Sequence, residues 1–425
     1  MATTDVTRRG SRHPGVGNRT PSRNEDFFEE QELKELRDYV APIRTARRVR
    51  LTLTTLVELW LVFGFDIGPK LSEELGDMGW FLQLLVIMAV LEVVFLAIRA
   101  PFGYWVTMVY EKKAGHSTST IGTWIKDQGL EYLLSIFVGA LLMGPAFAAI
   151  HAFPDTWWLV GGLAIVAFLI VVQFLAPVLI MPRFNKFTPL EPGPIRSRIE
   201  ELAEKSGVKI QGVYLMDASK RTTRANAGVT GFGKTKRVIV NDTICQFPLE
   251  ELSQVIAHEL GHYRLNHIPK SFPVSALQFP LTLLFIDLVA GNETVLRWAG
   301  VLPPADLGHP ASVPLFGFAF GIPLAITGLA DAWLSRKHER EADLEALELL
   351  GDPTSFVGVW PRIVLADKAN LEPTPWEKLK STHPEIAERM QFGLDWAEMN
   401  DVSVTPPAKR SVPEPVLTEG STAKG

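Results

Sequence analysis

Three features of the sequence predict a mainly α-helical, polytopic membrane protein that carries a small cytoplasmic α+β domain. The first is apolarity. Of 425 residues, 47% are hydrophobic, and mean hydropathy is +0.14, too apolar for an ordinary soluble protein of this length. The second is the clustering of that apolarity into six runs with few or no charges: Leu51–Ile67, Trp80–Ile98, Leu130–Ala152, Trp157–Met181, Ser271–Ala290 and Ser312–Leu334. Each is long enough, or nearly so, to cross a hydrocarbon layer ~30 Å thick. The third is the lopsided placement of basic residues between those runs.

If all six runs span, both termini share one face with the loop Arg99–Gly129 and the long polar segment Pro182–Lys270. Every Lys and Arg except Lys70 and Arg297 then lies on that face. Cytoplasmic loops are the ones enriched in Lys and Arg, so that face is expected to be cytoplasmic, both termini included. Leu51–Ile67 is the weakest run, being short and carrying Glu58 and Asp66, and a buried hairpin is its alternative. Glu58, Gln83, Glu92, Gln173, Gln278 and Asp287 lie inside the runs. Such groups avoid lipid, so they should line a hydrated cavity or hydrogen-bond between helices. Gly317 and Gly321 form a GxxxG, expected to be a close-packing site between helices.

The domain organisation follows. Residues 1–50 read as a disordered polar tail; the twin Arg8–Arg9 lacks the apolar stretch of a secretion signal. Residues 51–181 form a four-span region, 182–270 a cytoplasmic part, 271–334 a two-span hairpin, 335–400 further cytoplasmic helices, and 401–425 a disordered tail rich in Pro, Ser, Thr and Lys. A net charge of −5 gives no reason to expect a nucleic-acid partner. The single cysteine, Cys245, excludes both an intrachain disulfide and a Cys-rich metal site.

Within the polar segment, Pro194–Lys205 has helical periodicity, while Val208–Met216 and Lys236–Asn241 alternate β-branched and aromatic residues as strands do. Gly231-Phe-Gly233 reads as a hairpin turn. Pro248 opens a helix that runs to about His267.

That last helix carries the chemistry. In Val255-Ile-Ala-His258-Glu259-Leu-Gly-His262, two histidines at i and i+4 project from one face and can meet a single metal ion. Glu259 follows the first of them and stands beside a metal-bound water as general base. A third ligand is required. In the frame HExxHxxGxxH, Leu265 and Ile268 stand where Gly and His belong, and His267 is out of register by one, so that arrangement is excluded. The remaining common solution is a glutamate from a later helix, the gluzincin-like arrangement. Glu339 is the candidate, with Asp343 one turn on as a hydrogen-bond partner for a ligand histidine or a participant in proton transfer. Glu341, Glu345 and His338 are rivals. Two spans separate His262 from Glu339, so both fall on the same face. The predicted cofactor is one Zn²⁺ held by His258, His262 and Glu339.

Taken together, these residues resemble the type I CAAX prenyl endopeptidases, integral-membrane zinc proteases, and in particular their bacterial relatives. The resemblance rests on His258-Glu-Leu-Gly-His262, on Ser335-Arg-Lys-His-Glu339-Arg-Glu-Ala-Asp343 and on Phe184-Asn-Lys-Phe-Thr-Pro-Leu190. It rests also on Asn226-Ala227 before the strand Arg237–Asp242, and on Ser381-Thr-His383-Pro384 with Arg389 six residues after His383. It covers residues from about 50 to about 395. The resemblance implies an edge strand at Asn226 and Ala227 that binds substrate backbone, and His383 and Arg389 as donors to the developing oxyanion. It also implies hydrolysis of a peptide or protein substrate, prenylated or membrane-bound, at the cytoplasmic membrane face. A quality-control protease of membrane proteins, like the HtpX-type relatives, is the alternative of the same chemistry; a transporter or receptor with structural zinc is the non-enzyme alternative. The family's eukaryotic members have seven spans, and this chain shows six.

Overall fold

The computed structural model describes residues 22–405 apart from 65 and 232. The chain divides into two compact units. One takes the stretch up to Ala41, then Asn185–His267 and the chain from Ala332 onward; the other takes Pro42–Phe184 and Ile268–Asp331.

The second unit is helical and apolar. Its elements include α1 (Glu30–Phe63, in its later part), α2 (Ile67–Leu75), α3 (Trp80–Tyr104), α4 (Ile121–Ala152) and α5 (Trp157–Leu175). After the αβ portion of the chain come α8 (His267–Ala290) and α9 (Val313–Leu350). Among the described residues five helices are long and apolar enough to cross a membrane, and six if α1 and α2 count as one bent span. The bend between those two is 59°. Asp66, at φ +49°, adopts the left-handed conformation there, which interrupts a continuous helix at the weakest of the six runs. The protein is thus a multi-pass integral membrane protein.

Most of the intramembrane polar groups are satisfied within the unit. Ser72 Oγ donates to Gln83 Oε1 at 2.6 Å, Ser135 Oγ to Glu92 Oε1 at 2.6 Å and Trp157 Nε1 to Asp287 Oδ1 at 2.8 Å. Gln278 donates to Thr327 and Asp331. Glu58 lines a small cavity of ≈ 160 Å³ together with Glu92, and Gln173 is exposed. At the predicted GxxxG a Cβ on Gly317 would meet Met143 Cε at 3.5 Å, but a tighter helix crossing falls elsewhere. A Cβ on Gly162 would lie 2.5 Å from Pro280 Cα, whereas nothing lies within 4 Å of one on Gly321. The missing side chain matters where α5 meets α8, because there the partner at close range is backbone.

The first unit holds a four-stranded sheet: β1 (Phe187–Pro189), β2 (Gly212–Met216), β3 (Ala227–Thr230) and β4 (Arg237–Asn241), in the order β1-β2-β4-β3. β2 and β4 run parallel, with Val213 opposite Val238; the other two pairings are antiparallel. Gly231, at φ +90°, turns β3 into β4. β3 is therefore an edge strand. Helices α6 (Pro194–Ser206) and α7 (Leu249–Arg264) pack their apolar residues with the sheet, burying Ile199, Leu202, Val238, Val240, Leu252, Ile256 and Leu260.

A second core forms around α10 (Pro353–Asp367) and α11 (Ile386–Met399). Here the expectation of a polar tail through residue 50 gives way to helix from Glu30. Phe28, Leu33 and Leu36 are buried against Phe356 and Trp396. Leu33 and Leu36 are one helical interval apart in an otherwise charged stretch, Phe28 stands just before the helix, and burial of each contributes roughly 1.5–3 kcal/mol. At the other end Val402 and Val404 pack on the same core. Residues 1–21 and 406–425, with the rest of both expected tails, lie outside the described residues.

Candidate active site

α7 begins after Pro248, with Glu250 and Glu251 in its first turn, where acidic side chains complement the helix dipole. Its stripe Leu252, Ile256 and Leu260 is sunk in the core at i, i+4 and i+8. That anchoring fixes the direction in which His258 and His262 point. Their rings sit 4.8 Å apart, centroid to centroid, with the two Nε2 atoms 3.2 Å apart.

α9 brings the third donor. Glu339 Oε2 lies 3.2 Å from His258 Nε2, and Oε1 lies 3.3 Å from His262 Nε2. The approach of α9 to α7 depends on Gly261. A Cβ there would lie 3.1 Å from Glu345 Cβ and 3.4 Å from Ala342 Cα. The arrangement fits a metal ion. One donor atom from each of His258, His262 and Glu339 can be chosen so that all lie within 4.8 Å of one another. Glu339 Oε2 is also a buried oxygen with no hydrogen-bond partner. Two imidazoles and a carboxylate are the donor set that zinc accepts in catalytic sites with one position open.

The rivals for third ligand are engaged elsewhere. Glu345 pairs with Arg264, Glu341 pairs with His267 at 3.0 Å, and His338 stacks on His267 with centroids 4.2 Å apart.

Behind the donors, His258 Nδ1 lies 2.9 Å from Asp343 Oδ1. Arg389 closes this wall. Its Nε donates to Asp343 Oδ2 at 2.8 Å, and its Nη2 donates to Oδ1. Its guanidinium lies over the Trp360 ring at 3.7 Å. Of the groups expected to face a reacting oxyanion, Arg389 turns Nε and Nη2 to Asp343 and leaves Nη1 3.7 Å from Glu339 Oε2. The side chain is only 5% exposed, and two of its nitrogens are committed to Asp343 because a buried carboxylate demands a cation. Burial alone would lower the His258 imidazole, but hydrogen bonding to Asp343 and the facing Glu339 outweighs it and raises the group to about 9.

Glu259 and His258 line one cleft of ≈ 540 Å³, with Asn226, Trp360, His383 and Arg389 also in its walls. The edge strand passes Glu259: a Cβ on Gly228 would be 3.9 Å from Glu259 Oε2. Asn226 is exposed and its carbonyl accepts from Asn241 N–H at 3.0 Å, while Ala227 is buried and pairs with Val240. His383 is exposed, with Nε2 3.5 Å from Glu339 Oε2 and Nδ1 3.0 Å from Thr382 Oγ1.

Two residues unremarked in the sequence support the edge strand. Tyr263 donates its hydroxyl to the Val229 carbonyl at 3.1 Å; burial, then the Glu259 charge, raises that phenol to about 12. Asp367 accepts from the Ala225 N–H at 3.2 Å, and burial raises its carboxyl to about 6. Only Tyr263 left a signal in the sequence, standing one residue after His262 on the same helix.

A multi-pass helical fold, with an HExxH helix meeting a distant glutamate beside an open edge strand, defines a membrane-embedded metalloendopeptidase. Comparisons with known proteins agree. Residues 189–397 match the family described as Peptidase family M48, and residues 16–186 match that described as CAAX prenyl protease N-terminal, five membrane helices. CAAX prenyl protease 1 of Saccharomyces cerevisiae is 30% identical, over 72% of this chain and 71% of that one. The uncharacterized metalloprotease YhfN of Bacillus subtilis is 28% identical, over 73% of each. The crystal structure of S. mikatae Ste24p has the same fold, with a TM-score of 0.75 at 23% identity, covering 88% of this chain and 92% of that one. The chain belongs to peptidase family M48, in its membrane-embedded, CAAX prenyl protease-like group.

Proposed function

We propose that the protein is a zinc-dependent endopeptidase that cuts peptide bonds at the cytoplasmic face of the membrane, in the manner of a CAAX prenyl protease. One observation carries the reading: His258, which groups with His262 and Glu339 as metal donors, lines one cleft with Glu259 and with Asn226, the residue that leads into edge strand β3. His258, His262 and Glu339 would hold the zinc, which when bound would supply Lewis acidity to acidify water and polarise a peptide carbonyl. The substrate adds as an extended strand along Asn226 and Ala227, held by main-chain hydrogen bonds. Glu259 takes the proton of the attacking water and delivers it to the leaving amine. His383, on the open side of the cleft, donates to the oxygen on which charge develops. Asp343 orients His258 through Nδ1, and Arg389 holds Asp343 in place. The orientation rests on the Lys and Arg distribution along the chain.

A broader substrate range has one observation in its favour. Edge-strand recognition reads main chain, which every extended peptide offers, so quality-control proteolysis of membrane proteins is the second reading. The deciding experiment is cleavage of matched C-terminal Cys-a-a-X peptides, prenylated and unprenylated, by the purified protein with and without chelator. The first reading predicts cleavage that is sensitive to chelator and much faster on the prenylated peptide. Equal rates on both favour the second reading, and cleavage indifferent to chelator contradicts both.

A further inference from the structure

We infer that His267 is a positioning residue: it accepts the outer N–H of His262 and relays it to Glu341, which keeps the Nε2 lone pair of His262 turned toward the metal. The inference rests on the metal site proposed above.

An imidazole that binds a metal through one nitrogen carries its proton on the other, and that N–H needs an acceptor that fixes ring and tautomer. For His258 the acceptor is Asp343. For His262 the sequence pattern supplies none on its own helix. The structure places His267 Nδ1 2.9 Å from His262 Nδ1 and His267 Nε2 3.0 Å from Glu341 Oε2. When His262 Nε2 is a metal donor, the proton sits on its Nδ1. His267 Nδ1 must then be the acceptor, which puts the His267 proton on Nε2, facing the Glu341 carboxylate. Each of the four ring nitrogens then has one use.

The local backbone explains how the ring reaches this place. α7 ends at Arg264 and α8 starts at His267. Between them Asn266 takes φ +54°, a left-handed conformation that Asn tolerates better than most residues. The turn folds His267 back onto the outer edge of His262. There it is 3% exposed and lies parallel to His338, with 8° between the rings. Its Nδ1 faces the outer nitrogen of His262, so it lies on the side away from the three donors. The one-residue offset that disqualifies His267 as a ligand is what makes it a partner of a ligand.

The test is zinc affinity of the full-length purified protein, measured by competition with a chromogenic chelator, alongside the melting temperature of the metal-free form. His267→Phe keeps the stacking on His338 but cannot accept the N–H; His267→Asn loses the stacking but offers a side-chain oxygen near the former Nδ1. The relay predicts that the Phe variant binds zinc ~10–100-fold more weakly, that the Asn variant stays close to wild type, and that the metal-free melting temperatures do not follow this order. A Phe variant with wild-type affinity, or an Asn variant as weak as Phe, overturns the inference. Wild-type protein that binds no zinc overturns the metal site itself, a result separate from either.

Discussion

Arg389 and Asp343 form a two-point pair in the wall behind the metal donors, Nε to Oδ2 at 2.8 Å and Nη2 to Oδ1, with both side chains almost fully buried. Removing one member of such a pair leaves an uncompensated buried charge, which costs ~3–5 kcal/mol. Arg389→Ala should therefore lower the melting temperature by at least ~5 °C in detergent as well as abolish turnover. Lysine lacks the fork that meets both carboxylate oxygens, so Arg389→Lys should recover little. An Arg389→Ala protein that melts at the wild-type temperature would contradict the pairing's role in the fold.

Gly261 predicts a graded effect on metal binding. A methyl at this position meets Glu345 and Ala342 at 3.1–3.4 Å, so α9 has to give by a few tenths of an ångström, and Glu339 rides on α9. Gly261→Ala should weaken zinc binding on the order of tenfold, the range seen when the support of a ligand is disturbed. Gly261→Val should abolish it. Chelator competition measures both, and unchanged affinity in the Val variant would remove Gly261 from the account.

These two predictions mark where the sequence was legible. The pair His258 and His262 shows at i, i+4 because helix periodicity alone puts them on one face, and the multi-pass helical fold shows because bilayer thickness sets run length. β3 is a different case. It is four residues long and includes Gly228, so no alternation announces it; only the resemblance at Asn226-Ala227 pointed there. The start of α1 at Glu30 was hidden for a similar reason, since Leu33 and Leu36 are few among charges and gain meaning only from Phe356 and Trp396 far along the chain. The Arg389–Asp343 pairing joins residues 46 apart on separate helices, a distance across which pattern says nothing.

Asp367 predicts a pH dependence of stability. Burial raises its carboxyl to about 6, above the ordinary Asp value near 4. A group that binds its proton more tightly when folded favours folding below its unfolded value, and that contribution is lost as pH rises through about 6. Asp367→Asn keeps an oxygen for the Ala225 N–H and carries no charge to desolvate. It should be more stable than wild type at pH 8, by no more than ~3 kcal/mol, with the gain vanishing near pH 4. Melting temperatures of both proteins across that range check the sign.

Replacing Glu259 separates the chemical step from metal binding. Glu259→Gln should bind one zinc ion per chain with wild-type affinity and melt at the wild-type temperature, since Glu259 is not among the three donors. It should also cleave peptide at least ~10²-fold more slowly, the lower end of what a general base contributes. A purified Glu259→Gln protein that holds its zinc and cleaves at the wild-type rate would contradict the account.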